Sequence, residues 1–195
     1  MSSCRIVLVG GGTASGKTTI VSEVVASTGA VHIAHDRYYL DAPDPATNDF
    51  DHPDSLETSL LVQHLGMLKR GEAVDLPRYG FPTHRRQPET DRVGPAVLVI
   101  VEGILVLHHA DLRALADLCV FVEAPDDVRL ARRVRRDVVE RGRSRESVME
   151  RYVQMVVPSH TRFVGPSAAH AGLVLDGTAP IELSVARLLE AIDGE

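Results

Sequence analysis

The sequence predicts an α/β protein built on a doubly wound parallel sheet, and three observations predict it. Short apolar runs alternate with helix-patterned stretches along most of the chain. One run, Ala96–Val101, is continuously apolar, as a central parallel strand buried on both faces must be. The first run passes directly into a glycine-rich loop and then a helix-compatible stretch. In order, Arg5–Val9 reads as a strand, Lys17 to about Ser27 as a helix, and Val31–Ala34 as a short strand. Ser55 to Arg70 carries Leu56, Leu60, Leu61, Leu65 and Leu68 near helical spacing, with Ser55 expected as N-cap and Gly71 as the stop. Leu118–Val122 and Gly172–Leu175 read as further strands. Helices are expected over Pro125–Arg136, from Ser147 to Met155 or beyond, and over Ile181–Ile192.

Val74 to Val93 breaks this rhythm. It alternates apolar and polar residues, carries Pro77, Pro82 and Pro88, and has no helical period, which predicts a β-hairpin insert standing off the main sheet. The proline-rich stretch Ala42–Pro53 reads as a loop long enough to suggest function. No repeat or interdomain linker interrupts the 195 residues, so one domain with this insert is expected. In such a sheet, ligands belong at the carboxyl ends of the strands.

Bulk properties narrow the function classes. Hydrophobic content of 44% and charged content of 25% suit a soluble globular chain. A net charge of -6 argues against general nucleic-acid binding. Cys4 and Cys119 show neither metal spacing nor a disulfide framework and read as buried free thiols of a reducing compartment. The N-terminal apolar run is too short for a signal peptide, and no apolar stretch approaches membrane-spanning length. A cytoplasmic protein with no membrane partner is the expectation.

The segment Gly11-Gly12-Thr13-Ala14-Ser15-Gly16-Lys17-Thr18 fits the phosphate-loop pattern GxxxxGK[ST] between a strand and a helix. Glycines let backbone N–H groups turn inward around a phosphate chain, and the helix start adds partial positive charge. Lys17 adds a full charge, the Thr18 hydroxyl can ligate Mg²⁺, and Thr19 continues the cradle. Only two lysines, Lys17 and Lys69, occur in a chain otherwise basic through arginine, so a compact ammonium is wanted at position 17. Nucleoside triphosphate binding follows.

Further segments separate the phosphate-loop classes. Asp36, in His35-Asp36-Arg37-Tyr38-Tyr39, follows the second strand; its carboxylate can accept a hydroxyl proton or hold a metal-bound water, with a turn cap as the alternative. Glu102 ends the apolar strand and suits an acid that holds Mg²⁺, with a solvated strand terminus as the alternative. No guanine-reading Asn-Lys-x-Asp segment occurs, which disfavours a GTPase. Arg129, Arg132, Arg133 and Arg136 fall on one helical face, leaving Val128, Ala131 and Val134 for the core. With Arg141-Gly142-Arg143 they suit an arginine-rich lid over about residues 129–147 that clamps a phosphoryl group. The alternative is a charged face paired with Asp126, Asp127, Asp137 and Glu140.

The phosphate loop, Asp36-Arg-Tyr-Tyr, Phe50-Asp51-His52-Pro53-Asp54-Ser55, Leu76-Pro77-x-Tyr79-x-Phe81, Glu102-Gly103-Ile104-Leu105 and Arg132-Arg133-x-x-Arg136-Asp137-x-x-x-Arg141-Gly142-Arg143 occur in that order. Together they resemble the uridine kinase (uridine–cytidine kinase) family from about Arg5 to Phe163. The resemblance implies a P-loop kinase fold and ATP-dependent phosphorylation of the 5′-hydroxyl of uridine or cytidine, a pyrimidine-salvage reaction. It implies Asp36, Lys17 and Arg136 as the catalytic set, with Thr18, Asp36 and Glu102 around Mg²⁺. Asp51 and Arg133 would read the sugar, while Tyr79, Phe81 and His84 would wall the base, with Arg143 and Arg151 on the substrate side. A homotetramer is also implied.

The chain departs from the family pattern in places. Arg151 stands where a glutamine usually precedes the tyrosine, here Tyr152, and Val157 replaces a common basic residue. Ala168–Gly172 and Asp176-Gly177 replace the usual late segment with its Pro-Arg-Gly. The competing readings are a related kinase acting on pantothenate or a sugar phosphate, and a nucleotide-binding regulator without turnover.

Overall fold

The computed structural model describes residues 4–42, 44 and 47–194. Positions 43, 45 and 46 of the Ala42–Pro53 stretch therefore lie outside the described residues. The strands are β1 (Arg5–Gly11), β2 (Val31–Ala34), β3 (Val74–Gly80), β4 (Arg85–Val93), β5 (Leu98–Glu102), β6 (Leu118–Glu123) and β7 (Leu173–Asp176). The helices are α1 (Lys17–Thr28), α2 (Thr58–Lys69), α3 (Ala110–Leu115), α4 (Asp126–Val139), α5 (Arg145–Arg151), α6 (Val157–Ser159) and α7 (Ile181–Asp193).

Five strands form a parallel sheet in the order β2–β5–β1–β6–β7. Alternation along β1 explains why helices cover both faces. Ile6 and Leu8 point to one side, where Ile33, Val99 and Val101 meet Leu61, Leu65 and Leu68 of α2. Val7 and Val9 point to the other, where Val120 and Val122 meet Ile20, Val21 and Val24 of α1 and Leu188 and Ile192 of α7. Each of these leucines is fully buried or nearly so, and truncating one to alanine costs about 2–5 kcal/mol.

Register sets the site. Glu102 at the end of β5 is level with Val9 of β1 on one side and Ala34 of β2 on the other. The strand before the glycine loop and the strand before Asp36 thus finish beside the same carboxylate. The expected hairpin is present: β3 and β4 pair antiparallel as a separate two-stranded sheet, with a register shift between Pro77 and Arg78. Val74 and Leu76 of β3 join the core, so the hairpin is rooted in the protein at one end.

Several details differ from the expectations. Ser55 is not the N-cap of α2. Pro53–Ser55 forms its own tight turn, capped by the His52 imidazole, and Leu56 bridges to Tyr39, so the chain is extended there and α2 starts at Thr58. Gly71, at φ 76°, does stop the helix. The short helix α3 was not expected; its six residues are too few to show a helical period. The core-facing side of α4 is charged rather than aliphatic. Arg129, Arg133 and Asp137 are buried, whereas Val128 and Val134 are half-buried and Ala131 is exposed. Pairing explains this: Arg133 meets Asp137 and the Thr13 hydroxyl, while Arg129 meets Asp126 and the Ala124 carbonyl. Finally, α5 starts at Arg145 behind the Ser144 cap and runs on through wide π-helical turns, Tyr152–Val156 and His160–Val164, on either side of α6. Pro158 in α6 lacks the N–H that an α-helix would need there.

Candidate functional site

The glycine loop leaves β1 at Gly11, whose φ of 141° and contact with the Val122 carbonyl leave no room for a side chain. Gly16, at φ 107°, is the N-cap that turns the chain into α1. Lys17 is buried, and its ammonium donates to the Gly12 carbonyl at 2.9 Å. Burial lowers the Lys17 pKa, against the pull of Glu102 and Asp36, which favour its charge. Thr18 Oγ1 donates to Glu102 Oε1 at 3.2 Å. For Glu102, burial acts to raise the pKa, but His32, Lys17 and Thr18 outweigh it and hold the carboxyl below its usual range. His32 Nε2 lies 3.8 Å from that carboxylate.

These groups open onto a cleft of about 880 Å³. Thr13, Ala14, Gly16, Lys17, Thr18 and Thr19 line one wall, Asp36 and Glu102 another, and Arg132, Arg136 and Arg141 a third. Gly11, Gly12 and Ser15 belong to the same loop but lie behind its surface, buried. Arg132 Nη1 donates to the Gly177 carbonyl at 2.9 Å and lies 3.4 Å from that of Ser15, tying α4 to the loop after β7.

A second, smaller cavity adjoins the first, and Asp36, Phe81, Arg136 and Arg141 line both. All of the sequence-predicted substrate-side residues meet there: Asp51, Tyr79, His84, Arg133, Arg143 and Arg151 join Asp36 and Phe81 in its wall. Burial, then the Glu102 charge, push the Asp36 carboxyl up to about 6, and Lys17 pulls the other way. Burial also raises Asp51, opposed chiefly by Arg133. Arg133 Nη1 donates to Thr13 Oγ1 at 3.0 Å, linking α4 to the glycine loop.

The aromatic wall is larger than the sequence suggested. Tyr39 and Phe50, present in the quoted motifs without an assigned role, complete it. Tyr39 packs on Phe50 at 5.5 Å and on Tyr79 at 5.4 Å, and His84 stacks on Phe50 at 4.9 Å. Phe81 contacts Tyr79 at 5.4 Å and is about half exposed at the hairpin end, where Arg141 lies over its ring. The Arg151 guanidinium lies over Phe50 at 5.4 Å and donates to the Asn48 carbonyl. Among the described residues, Tyr79 Oη and His84 Nδ1 are buried in this wall without a hydrogen-bond partner, as groups awaiting a polar ligand would be.

Two arginines missed in the sequence brace the site. Arg86 of β4 donates to the carbonyls of Tyr38 at 2.8 Å and Tyr39 at 3.0 Å and pairs with Glu57. Arg37 donates to the Pro77 carbonyl at 2.9 Å and pairs with Asp91. The hairpin and the turn carrying Asp36 are thus fastened in both directions. No sequence periodicity marks such a cross-brace, because it joins segments about fifty residues apart.

Mg²⁺ takes few protein oxygens and completes its shell with water and phosphate. The Thr18 hydroxyl and the Glu102 carboxylate, with Asp36 on the same cleft, fit that demand. Among the described residues, no three His, Cys, Asp or Glu side chains gather into a self-contained metal site. No described helix is long and apolar enough to cross a membrane.

A family profile described as "Phosphoribulokinase / Uridine kinase family" matches residues 6–181, spanning the loop, both acids, the hairpin and the arginine-rich helix. This chain belongs to the phosphoribulokinase/uridine kinase family. Curated members include the uridine kinase of Chloroflexus aurantiacus, 42% identical over 98% of both chains. The uridine kinase of Clostridium novyi is 38% identical over 88% of this chain and 87% of its own. Among solved structures, a putative fructose transport system kinase from Silicibacter sp. TM1040 superposes with a TM-score of 0.74 over 90% of this chain and 91% of its own, at 21% identity. The doubly wound sheet is therefore that of the family's P-loop kinases.

Proposed function

We propose that this family member transfers the γ-phosphoryl group of ATP to the 5′-hydroxyl of uridine, and of cytidine, giving the 5′-monophosphate and ADP. The observation that carries this reading is the position of Asp36, which lines both cavities between the phosphate loop and the aromatic wall. Uridine kinases at 42% and 38% identity over most of their length support the same substrate.

In this reading the triphosphate lies along the loop amides, with Lys17 neutralising its β- and γ-phosphates. The nucleoside sits in the second cavity. Asp51 accepts from two ribose hydroxyls, Arg133 reaches the sugar, and Tyr79, Phe81 and His84 hold the base together with Arg151. Asp36 accepts the proton of the 5′-hydroxyl as that oxygen bonds to the γ-phosphorus and the bond to the ADP oxygen breaks. The raised Asp36 pKa suits this task, since a base works best when its pKa approaches the working pH. Arg136, with Arg141 and Arg143, offsets charge on the transferring group, and residues of about 129–147 act as the lid. Thr18 and Glu102, with Asp36 through water, would hold Mg²⁺, which when bound neutralises phosphate charge. Most of the rate then comes from positioning and electrostatics. The same reading makes the protein a cytoplasmic salvage enzyme that works as a single-domain subunit of a homotetramer.

An ADP-release assay with Mg-ATP against uridine, cytidine, adenosine, pantothenate and phosphorylated sugars tests the proposal. Turnover with uridine or cytidine is expected. Turnover confined to an anionic metabolite would overturn the nucleoside assignment and make Arg151 the first suspect.

A further inference from the structure

The most buried acid near the site has no part in the mechanism above. Asp137, in the last turn of α4, has a side chain with no solvent exposure, yet four guanidiniums converge on it. Arg136 Nε reaches Oδ1 at 2.9 Å and Arg141 Nη1 reaches the same oxygen at 3.3 Å. Arg143 Nη1 reaches Oδ2 at 3.2 Å, and Arg133 Nε stands 3.7 Å from it. The backbone joins in, because the Arg143 amide donates to the Asp137 carbonyl at 3.1 Å across the turn that Gly142 makes at φ 62°. All four arginines line the cavity that holds Asp36, and Arg136 and Arg141 line the triphosphate cleft as well.

Guanidiniums packed this closely repel one another, and an exposed turn such as residues 140–144 pays heavily in entropy to stay in one place. A single carboxylate opposes both effects. It binds cations from α4 and from the turn after it, and folds the turn back so that Arg141 and Arg143 face the cavities. Taking that carboxylate out of water is unfavourable, and a dense set of partners offsets it. The direction of its ionisation agrees: burial works to raise the Asp137 pKa, and Arg136 and Arg141 outweigh it to keep the group charged.

We infer that Asp137 is the positioning residue of the arginine clamp, an anion that gathers Arg133, Arg136, Arg141 and Arg143 and sets the cationic wall shared by the two cavities. Its effect on turnover rests on the kinase reading above; its effect on the turn does not. Asparagine keeps the shape but is neutral and turns an N–H₂ toward the guanidiniums. Two readouts on Asp137→Asn therefore separate the possibilities. Limited trypsin digestion after Arg141 and Arg143 is expected to run at least about tenfold faster than in the wild type, because the turn is released. With uridine, kcat is expected to fall at least about 30-fold while KM for ATP moves less than about threefold, the signature of a contact made chiefly in the transition state.

Unchanged cleavage together with kcat within threefold of wild type would overturn the inference. Should the wild type phosphorylate no nucleoside, the substrate reading fails, and the trypsin rates alone decide the role of Asp137. Should the single variant not fold, Asp137→Asn with Arg143→Gln removes one of the unpaired cations and is read against Arg143→Gln alone. Equal kcat and equal cleavage after Arg141 in that pair would likewise overturn it.

Discussion

Thr18 Oγ1 donates to Glu102 Oε1 across 3.2 Å, joining the first turn of α1 to the end of β5. The register makes this contact: Glu102 is level with Val9, two residues before the strand gives way to the phosphate loop. On the proposed function, a hydroxyl and a carboxylate held together at that level are the oxygen pair that would hold a triphosphate-bound Mg²⁺.

Glu102→Gln keeps the size and the hydrogen bond but removes the charge. The Mg²⁺ concentration for half-maximal rate is expected to rise at least about tenfold, with kcat lowered as well, read from a magnesium titration at fixed ATP. An unchanged magnesium requirement would take Glu102 out of the metal site.

Arg86 holds two carbonyls beside Asp36 and one carboxylate with a planar fork that an ammonium cannot reproduce. Arg86→Lys is therefore expected to lower kcat/KM for the nucleoside about tenfold or more while ATP binding stays within threefold, because the hairpin and Asp36 lose their common frame. Equal losses for both substrates would indicate a general loss of fold instead.

His35 predicts an acid-side loss of stability. Its ring is fully buried, with Nε2 3.1 Å from Thr58 Oγ1, and burial followed by the His109 charge pushes its pKa down to about 3 from the ordinary 6.5. His109, pushed down to about 4 chiefly by burial, shares the same threonine and acts in the same direction. At these two histidines the unfolded chain binds more protons than the folded one below about 6.5, so their contribution to stability falls as pH drops from there toward about 3 and is constant above. Asp36, raised to about 6, works in the opposite direction. Urea unfolding at pH 7, 6 and 5 is expected to show the wild type losing stability relative to His35→Gln as the pH drops, since the Asp36 contribution is common to both. Parallel pH slopes for the two proteins would contradict it.

What the sequence made legible was whatever a local pattern encodes. The strand–glycine loop–helix unit, the acid closing the Ala96–Val101 run and the alternating hairpin all lie where spacing and apolar period place them. The residues that line the second cavity were legible only as an ordered set, since Asp51 or Tyr79 alone reads as an ordinary turn or packing residue. What escaped was set by tertiary pairing. The inward face of α4 looked aliphatic because Val128, Ala131 and Val134 share a helical face, but the partners of Arg129, Asp126 and the Ala124 carbonyl, and the pairing of Arg133 with Asp137 made Arg129, Arg133 and Asp137 the inward set. Ser55 looked like a helix cap, but the Tyr39–Leu56 bridge pulled the chain straight past it. Arg37 and Arg86 gave no signal, because their partners are backbone carbonyls of distant segments.

The most direct measurement is single-turnover phosphorylation of uridine by Asp36→Ala and Asp36→Asn, with ATP affinity measured alongside. With Asp36 as the group that accepts the 5′-hydroxyl proton, the rate falls about 100- to 10,000-fold in both variants while the Kd for ATP stays within threefold. A rate within a few-fold of wild type in either variant would contradict the role given to Asp36, and with it the reading of the two cavities as donor and acceptor sites.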